Sequence, residues 1–180
     1  STSSATACAT PSTPARVAVE PPAHLRDLLA AEGLDAEFFA PGVPMHTVAD
    51  AATALGAPER SILKTLIFAD GDGGHVVAIA SGPERVDRAR LAAIAGRRSL
   101  KMADPATVLR LTGYPAGGVA PIGHATALPV FIDERAAALD VGYGGGGRPE
   151  LLLRLRIADI IRLTEATVAS FVATPAPDRP

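Results

Sequence analysis

Apolar positions recur along this chain at two spacings that alternate over short distances. Leu25, Leu28 and Leu29 stand at helical intervals between His24 and Glu32, with Gly33 as the stop. Thr47-Val-Ala-Asp50 has the form of a capping box, with Asp where Glu or Gln is usual, and predicts a helix to Leu55 that ends at Gly56. Ile62 to Phe68 is β-rich, and Asp70-Gly-Asp-Gly-Gly74 predicts a hairpin turn into His75 to Ala80. Helices are expected over Asp87 to Ala95 and Asp104 to Leu111, with a short strand around Ser99 to Met102. Pro129 to Asp133 reads as a strand, Glu134 to Leu139 as a short helix and Leu151 to Arg156 as a strand, with helical residues from Ile157 closing the fold. No strict βαβ period holds. The expectation is a single mixed α/β domain, its central mixed sheet (or partly closed barrel) flanked by helices.

The ends differ in composition. Residues 1–21 are rich in Ser, Thr, Ala and Pro and are expected to be disordered, as are residues 173–180, which leaves 22–172 as the folded domain. A length of 180 residues suits one domain with one good core, and with no Trp and 4% aromatics that core must be aliphatic. The formal net charge of −2 argues against a surface built to coat DNA or RNA. It leaves room for a local basic patch from Arg85, Arg88, Arg90, Arg97, Arg98, Lys101 and Arg110.

The single cysteine, Cys8, excludes a disulfide framework and a thiolate metal site. His24, His46, His75 and His124 show no ligand spacing, so neither a metal nor a cofactor is expected. No apolar run approaches the roughly 18 residues of a membrane span, and the opening residues lack the apolar segment of a signal peptide. A cytoplasmic, bacterial-type protein is the expectation. Opening on Ser rather than Met, the chain is expected to be processed or trimmed.

Candidate chemistry begins with Lys64. Strand alternation puts Ile62, Lys64, Leu66 and Phe68 on one face, and a lysine there must snorkel or find a partner. Lysine occurs only at positions 64 and 101, against fifteen arginines, so a strand-centre lysine is not the default cation of this chain. Its compact charge suits a phosphate or a developing oxyanion. Thr112-Gly-Tyr-Pro-Ala-Gly-Gly-Val-Ala-Pro-Ile-Gly123 offers the second element: Gly117 and Gly118 allow close backbone approach to a ligand, and Pro121 stiffens the far side. The same loop also reads as a helix C-cap followed by a connection. Gly144 to Gly147 precedes a strand rather than a helix, the wrong order for a phosphate-binding fingerprint, and is expected to form a turn. His46, before a helix N-cap, reads as a solvated loop residue. There is no Gly-x-Ser-x-Gly elbow and no conventional triad.

Taken in order, Ala51-Ala52 with Leu55-Gly56, Ile62-Leu-Lys64-Thr-Leu, Met102-Ala-Asp-Pro105, Thr112 to Gly123 and Leu128-Pro-Val-Phe-Ile-Asp133 carry a resemblance to the YbaK/prolyl-tRNA synthetase editing-domain family of aminoacyl-tRNA deacylases, from about Phe38 to Leu163. The resemblance implies a mixed-sheet α/β fold and hydrolysis of amino acids wrongly attached to tRNA, above all tRNA for proline. It places Lys64 at the family's essential lysine and Gly117 to Pro121 (Gly117, Gly118, Val119, Ala120, Pro121) at its Gly-x-x-x-Pro loop. Phe38, His46 and Thr47 fall near the amino-acid pocket. Many relatives have Ser where Ala120 stands. Relatives acting on cysteinyl-tRNA carry Ser and Asp where Gly145 and Leu152 align, and alanine-clearing relatives carry a His near Tyr143 to Gly147.

The implied substrate is the aminoacyl-tRNA 3′ end, with a synthetase or an elongation factor as candidate docking partner. The neighbouring ribose hydroxyl would assist the reaction, which accounts for the missing triad. The alternative is a catalytically silent ligand- or tRNA-binding module of the same fold.

Overall fold

The computed structural model describes residues 19–173. Cys8 and nearly all of the two expected tails lie outside the described residues. Val19 to Pro21 and Ala173 are described, and the Glu20 carbonyl accepts a hydrogen bond of 2.6 Å from Arg148 Nε.

Helix α1 (Ala23–Ala31) leads into a short strand β1 (Glu37–Phe39) and helix α2 (Val48–Leu55). A 3-10 turn at Glu59–Ser61 opens the hairpin of β2 (Leu63–Ala69) and β3 (His75–Ser81). There follow α3 (Arg88–Ile94), β4 (Lys101–Met102), α4 (Pro105–Thr112) and β5 (Val130–Asp133). The chain continues through α5 (Glu134–Ala137), β6 (Val141–Gly145), β7 (Leu152–Arg156), α6 (Ile157–Thr164) and β8 (Thr167–Ala169). The strands form two sheets. One is mixed and five-stranded, ordered β4-β2-β3-β5-β8, with β5 parallel to both its neighbours. The other is antiparallel, ordered β1-β7-β6.

Period-2 alternation divides the apolar residues between two cores. Leu63, Ile67, Val77 and Ile79 face the larger one, shared with Leu25 of α1, Leu153 and Leu155 of β7 and Ile160 of α6. Phe68, Val76, Ala78 and Ala80 face the other, with Leu91 of α3, Leu100 and Phe171. Strand β3 is thus covered on both sides, which is why its run from Val76 to Ala80 is apolar at every position. A third cluster of Ala51, Ala52, Ile62 and Leu152 seats α2 against the junction of the two sheets.

Polar groups fix the ends of these elements. The α2 capping box forms as predicted: Asp50 N donates to Thr47 Oγ1 at 3.1 Å and Thr47 N to Asp50 Oδ2 at 3.0 Å. Gly56 caps the helix in the left-handed conformation. Asp70 turns the β2–β3 hairpin by accepting from Asp72 N, Gly74 N and Arg97 Nη1 at 2.8–2.9 Å. Asp133, 1% exposed, accepts from Arg135 N and, through Oδ2, from Phe171 N and Val172 N at 2.9 and 3.0 Å.

Three strands were not expected from the sequence: β1, β6 and β8. Strand β8, after Glu165 in the left-handed region, closes the fold where helical residues alone were expected. Gly144 and Gly145, expected in a turn, are the last residues of β6. Glycine is a weak strand former, and tertiary contact decides here: a Cβ on Gly145 would sit 2.4 Å from the Val119 carbonyl oxygen. The strand lies flush against the 117–121 loop only because position 145 is bare.

Candidate active site

Strand β2 ends at β4 only through Phe68 and Ala69, so its first half presents an edge toward β6 and the 117–121 loop. A cleft of about 350 Å³ opens there. Lys64 and Thr65 come from β2, Gly117 and Val119 from the loop, and Gly145 and Leu152 from the β6–β7 pair. His46 and Thr47, ahead of α2, also line it.

The Lys64 ammonium is not left to solvent. Nζ donates to the Glu84 carbonyl in the segment between β3 and α3. Partial burial lowers its pKa below the usual lysine value, and the Glu84 charge offsets part of that. The side chain is held by a single acceptor among the described residues. Next to it, the Thr65 hydroxyl is buried and has no hydrogen-bond partner among the described residues. Such a group is destabilising where it stands.

The loop is braced from behind. Tyr114, fully buried, shares its hydroxyl hydrogen between the Ile122 and Gly123 carbonyls at 3.0 and 3.1 Å, and burial pushes that hydroxyl's pKa up. Its ring stacks on His24 at 5.1 Å and meets His124 edge-on at 6.2 Å. His124 Nε2 lies 2.8 Å from the Ala120 carbonyl, to which it donates because a carbonyl can only accept, and burial lowers the imidazole pKa. Gly118 N–H is committed to the Pro115 carbonyl, and the Gly118 carbonyl accepts from Gly147 N at 2.8 Å. A Cβ on Gly118 would lie 2.5 Å from the Arg148 carbonyl carbon. By contrast, the N–H groups of Gly117 and Val119 have no acceptor among the described residues.

The residues singled out from sequence therefore separate into two layers. Lys64, Gly117, Val119, His46 and Thr47 meet in the cleft. Gly118, Ala120 and Pro121 are buried behind it: Ala120 is 0% exposed within the larger core, and Pro121 packs toward Gly144. A hydroxyl at position 120 would point into that core layer, so Ala120 removes nothing from the cleft wall. Phe38 packs on the larger core, while its neighbour Phe39 joins the α2 cluster beside Ile62 and Leu152. Of the basic patch, Arg97 is bound to Asp70 at 2.8 Å and belongs to the hairpin; Arg85, Arg88, Arg90, Arg98 and Lys101 are exposed.

A model of the aminoacyl-tRNA editing domain matches residues 43–163, a span that holds every cleft residue named above. The chain belongs to the aminoacyl-tRNA editing domain family. It is 29% identical over 118 residues to a protein of Enterococcus faecalis named as a candidate Cys-tRNA(Pro)/Cys-tRNA(Cys) deacylase, EbsC, covering 66% of this chain and 72% of that one. It is 31% identical over 132 residues to the proline–tRNA ligase of Moorella thermoacetica, covering 73% of this chain and 21% of the ligase. Among solved structures, one described as a candidate trans-editing enzyme for prolyl-tRNA synthetase superposes with a TM-score of 0.73 at 29% identity, covering 86% of this chain and all of that one. A hypothetical protein superposes at 0.76 with 32% identity, covering 83% and 99%.

Membership in the editing-domain family sharpens two positions. Gly145 and Leu152, where cysteinyl-specific relatives were aligned with Ser and Asp, are cross-strand partners in the β6–β7 pair and both line the cleft. Thr65 escaped the sequence reading, because nothing in a β-rich run shows that a hydroxyl will lack a partner. No helix among the described residues is long and apolar enough to cross a membrane.

Proposed function

We propose that this chain is a free-standing, trans-editing aminoacyl-tRNA deacylase, with a tRNA for proline carrying a small amino acid as its first candidate substrate. The observation that carries the reading is the meeting, in one cleft, of Lys64 with two loop residues whose N–H groups have no acceptor among the described residues. That is the equipment for an anionic tetrahedral centre. The need for such an enzyme is physical: a synthetase pocket rejects a side chain one methylene smaller by only about 1–3 kcal/mol.

In this reading the ester carbonyl oxygen lies toward Gly117 and Val119, and Lys64 steadies the charge of the substrate or of the oxyanion. Water, activated by the neighbouring ribose hydroxyl, adds to the ester carbon. The carbon–oxygen bond to the ribose then breaks, the ribose oxygen takes a proton, and the free amino acid leaves. Arg85, Arg88, Arg90, Arg98 and Lys101 contact tRNA phosphates, which predicts salt-sensitive binding. Residues 22–172 constitute the acting domain, which works in the cytoplasm, with a synthetase or elongation factor as docking partner.

The test is deacylation of a panel of mischarged tRNAs by the wild type and Lys64→Ala. The panel holds alanyl-, seryl- and cysteinyl-tRNA for proline, the last included because the Enterococcus relative is named for it. Lysine-dependent release of at least one amino acid is expected. No release above the uncatalysed rate for any member would replace the enzyme with a silent binding module.

A further inference from the structure

The wall of the cleft offers charge of one sign only. Among the described residues, Lys64 is the one lysine or arginine that lines it, and no aspartate or glutamate does. His46, the other basic side chain of the lining, is neutral or cationic and never anionic. Lys64 takes part in none of the ion pairs among the described residues. Two carboxylates stand near without lining the cleft. Asp50 accepts from the His46 and Thr47 amides at the start of α2, and Glu84 lies close enough to Lys64 to favour its charged form. The nearby carbonyls are engaged as well: Glu84 accepts from Lys64, Gly118 from Gly147 N, and Ala120 from His124. Val48, Ala51, Ile62, Leu151 and Leu152 make much of the remaining wall apolar. A positively charged guest meets a like charge and hydrocarbon here, where it needs an anionic partner.

We infer that the cleft also hydrolyses esters of N-acylated amino acids, the class that holds acetylated, formylated and peptidyl esters, and handles them better than the ester of the protonated amino acid. The inference rests on the proposed function for the position of the ester. With the carbonyl oxygen toward Gly117 and Val119 and beside Lys64, the α-nitrogen stands only two bonds from the reacting carbon. A protonated amine there faces a second ammonium with no carboxylate in the wall to separate them, and like charges within about 4–6 Å disfavour each other. An acyl cap turns the α-nitrogen into a neutral amide, which removes the repulsion and adds apolar surface for the wall. At about 350 Å³ the cleft is in the size range of small-molecule sites. The bonds made and broken stay the same. Water adds to the ester carbon, the bond to the ribose oxygen breaks, that oxygen takes a proton, and the N-acylated amino acid leaves with its amide intact.

The experiment measures deacylation, by the full chain, of tRNA for proline carrying alanine, lactate or N-acetylalanine, each rate taken over its own uncatalysed rate. It is run at about pH 6, where a free α-amine holds its proton. Lactate matches alanine in size without the charge, so it separates charge from bulk. The lactyl and N-acetylalanyl esters are each expected to react about threefold or more faster than the alanyl ester. Val48→Glu puts a carboxylate into the cleft wall from the first turn of α2, where an acidic residue suits the helix. It should raise the alanyl rate about tenfold relative to the N-acetylalanyl rate, and an unchanged melting temperature shows that the variant is folded. Lys64→Ala should slow all three esters and bring the alanyl and lactyl rates together. Release of N-acetylalanine not at all, or at less than about a tenth of the alanyl rate, would overturn the inference, and the editing reading would then stand or fall on its own panel. So would fast release of lactate beside inert N-acetylalanine, since the cap would then not fit. Equal alanyl and lactyl rates would overturn its electrostatic ground. Release of N-acetylalanine with no free amino acid released from the tRNA panel would uphold the inference and end the editing reading alone.

Discussion

The two ends of strand β2 handle polar groups in opposite ways. At the hairpin end, Asp70 is almost wholly buried and accepts three hydrogen bonds, one of them from the Arg97 guanidinium. The Asp72 and Gly74 amides and the Arg97 charge hold its carboxyl below the usual carboxylate range, the Asp72 amide most of all. At the cleft end, Lys64 leans on one backbone carbonyl, and the buried Thr65 hydroxyl has no partner among the described residues. A folded chain satisfies its buried polar groups wherever structure is the only demand. Where it leaves a cation with a single acceptor beside a cleft, as at Lys64, a ligand is the natural further partner.

The comparison breaks first at Lys64. Lys64→Ala is expected to lower deacylation by about 10²–10³-fold, the usual effect of losing one donor to a developing oxyanion, with little change in melting temperature. The lowered pKa also sets a pH limit. Activity that needs the cation falls as pH rises through that value, earlier than for an ordinary lysine, after subtraction of the alkaline background. A pH–rate profile with no such limb would remove the charge from the mechanism. For stability the sign is the reverse of a salt bridge: burying the cation is unfavourable below the folded pKa, and the penalty fades as pH rises toward the unfolded value.

Gly145→Ala comes next. Its Cβ would meet the Val119 carbonyl oxygen at 2.4 Å, so the loop must move, at a cost of about 1–3 kcal/mol. Both melting temperature and turnover should fall, and turnover should fall further than the stability loss explains. Arg97→Met should lower the melting temperature by a few degrees yet leave deacylation below that temperature unchanged, because its partner is the hairpin and not tRNA. The stability that Asp70 gives is present above the unfolded carboxyl pKa of about 4 and is lost as pH falls through its lower folded value. The smallest effect is expected of Thr65→Val. Removal of an unpartnered hydroxyl should leave the melting temperature unchanged or raise it, by up to about 1 kcal/mol of stability. Calorimetry showing a marked loss would mean that the hydroxyl has a partner after all.

What the sequence made legible follows the range of the forces involved. The α2 capping box, the Gly56 cap and the β2–β3 hairpin are local, and Thr47, Asp50 and the Asp70–Gly74 turn announce them. Lys64 and the Gly117 loop were visible by composition and resemblance. Strand β6 was hidden because Val141-Gly-Tyr-Gly-Gly145 has poor strand propensity and becomes a strand only through its fit against Leu63, Pro121 and Val119. Arg97 was read with its basic neighbours because its partner Asp70 stands 27 residues away. A second cavity joins residues near 40–46 to Pro149 and Glu150, a juxtaposition no local pattern could show.

One buried carboxylate bears on how the molecule comes into being. Asp133 holds Phe171 and Val172, 38 and 39 residues further along. As the chain emerges from the ribosome, β5 is finished long before its last donors arrive, and its edge stays open until β8 docks beside it. Lys64, the loop and the cleft-facing strands are all synthesised by then, yet the sheet that carries β2 still lacks its final strand. Competence would thus come to the whole sheet at once, late, and a nascent or truncated chain ending before Phe171 would hold the elements of the cleft without the frame that keeps them in register.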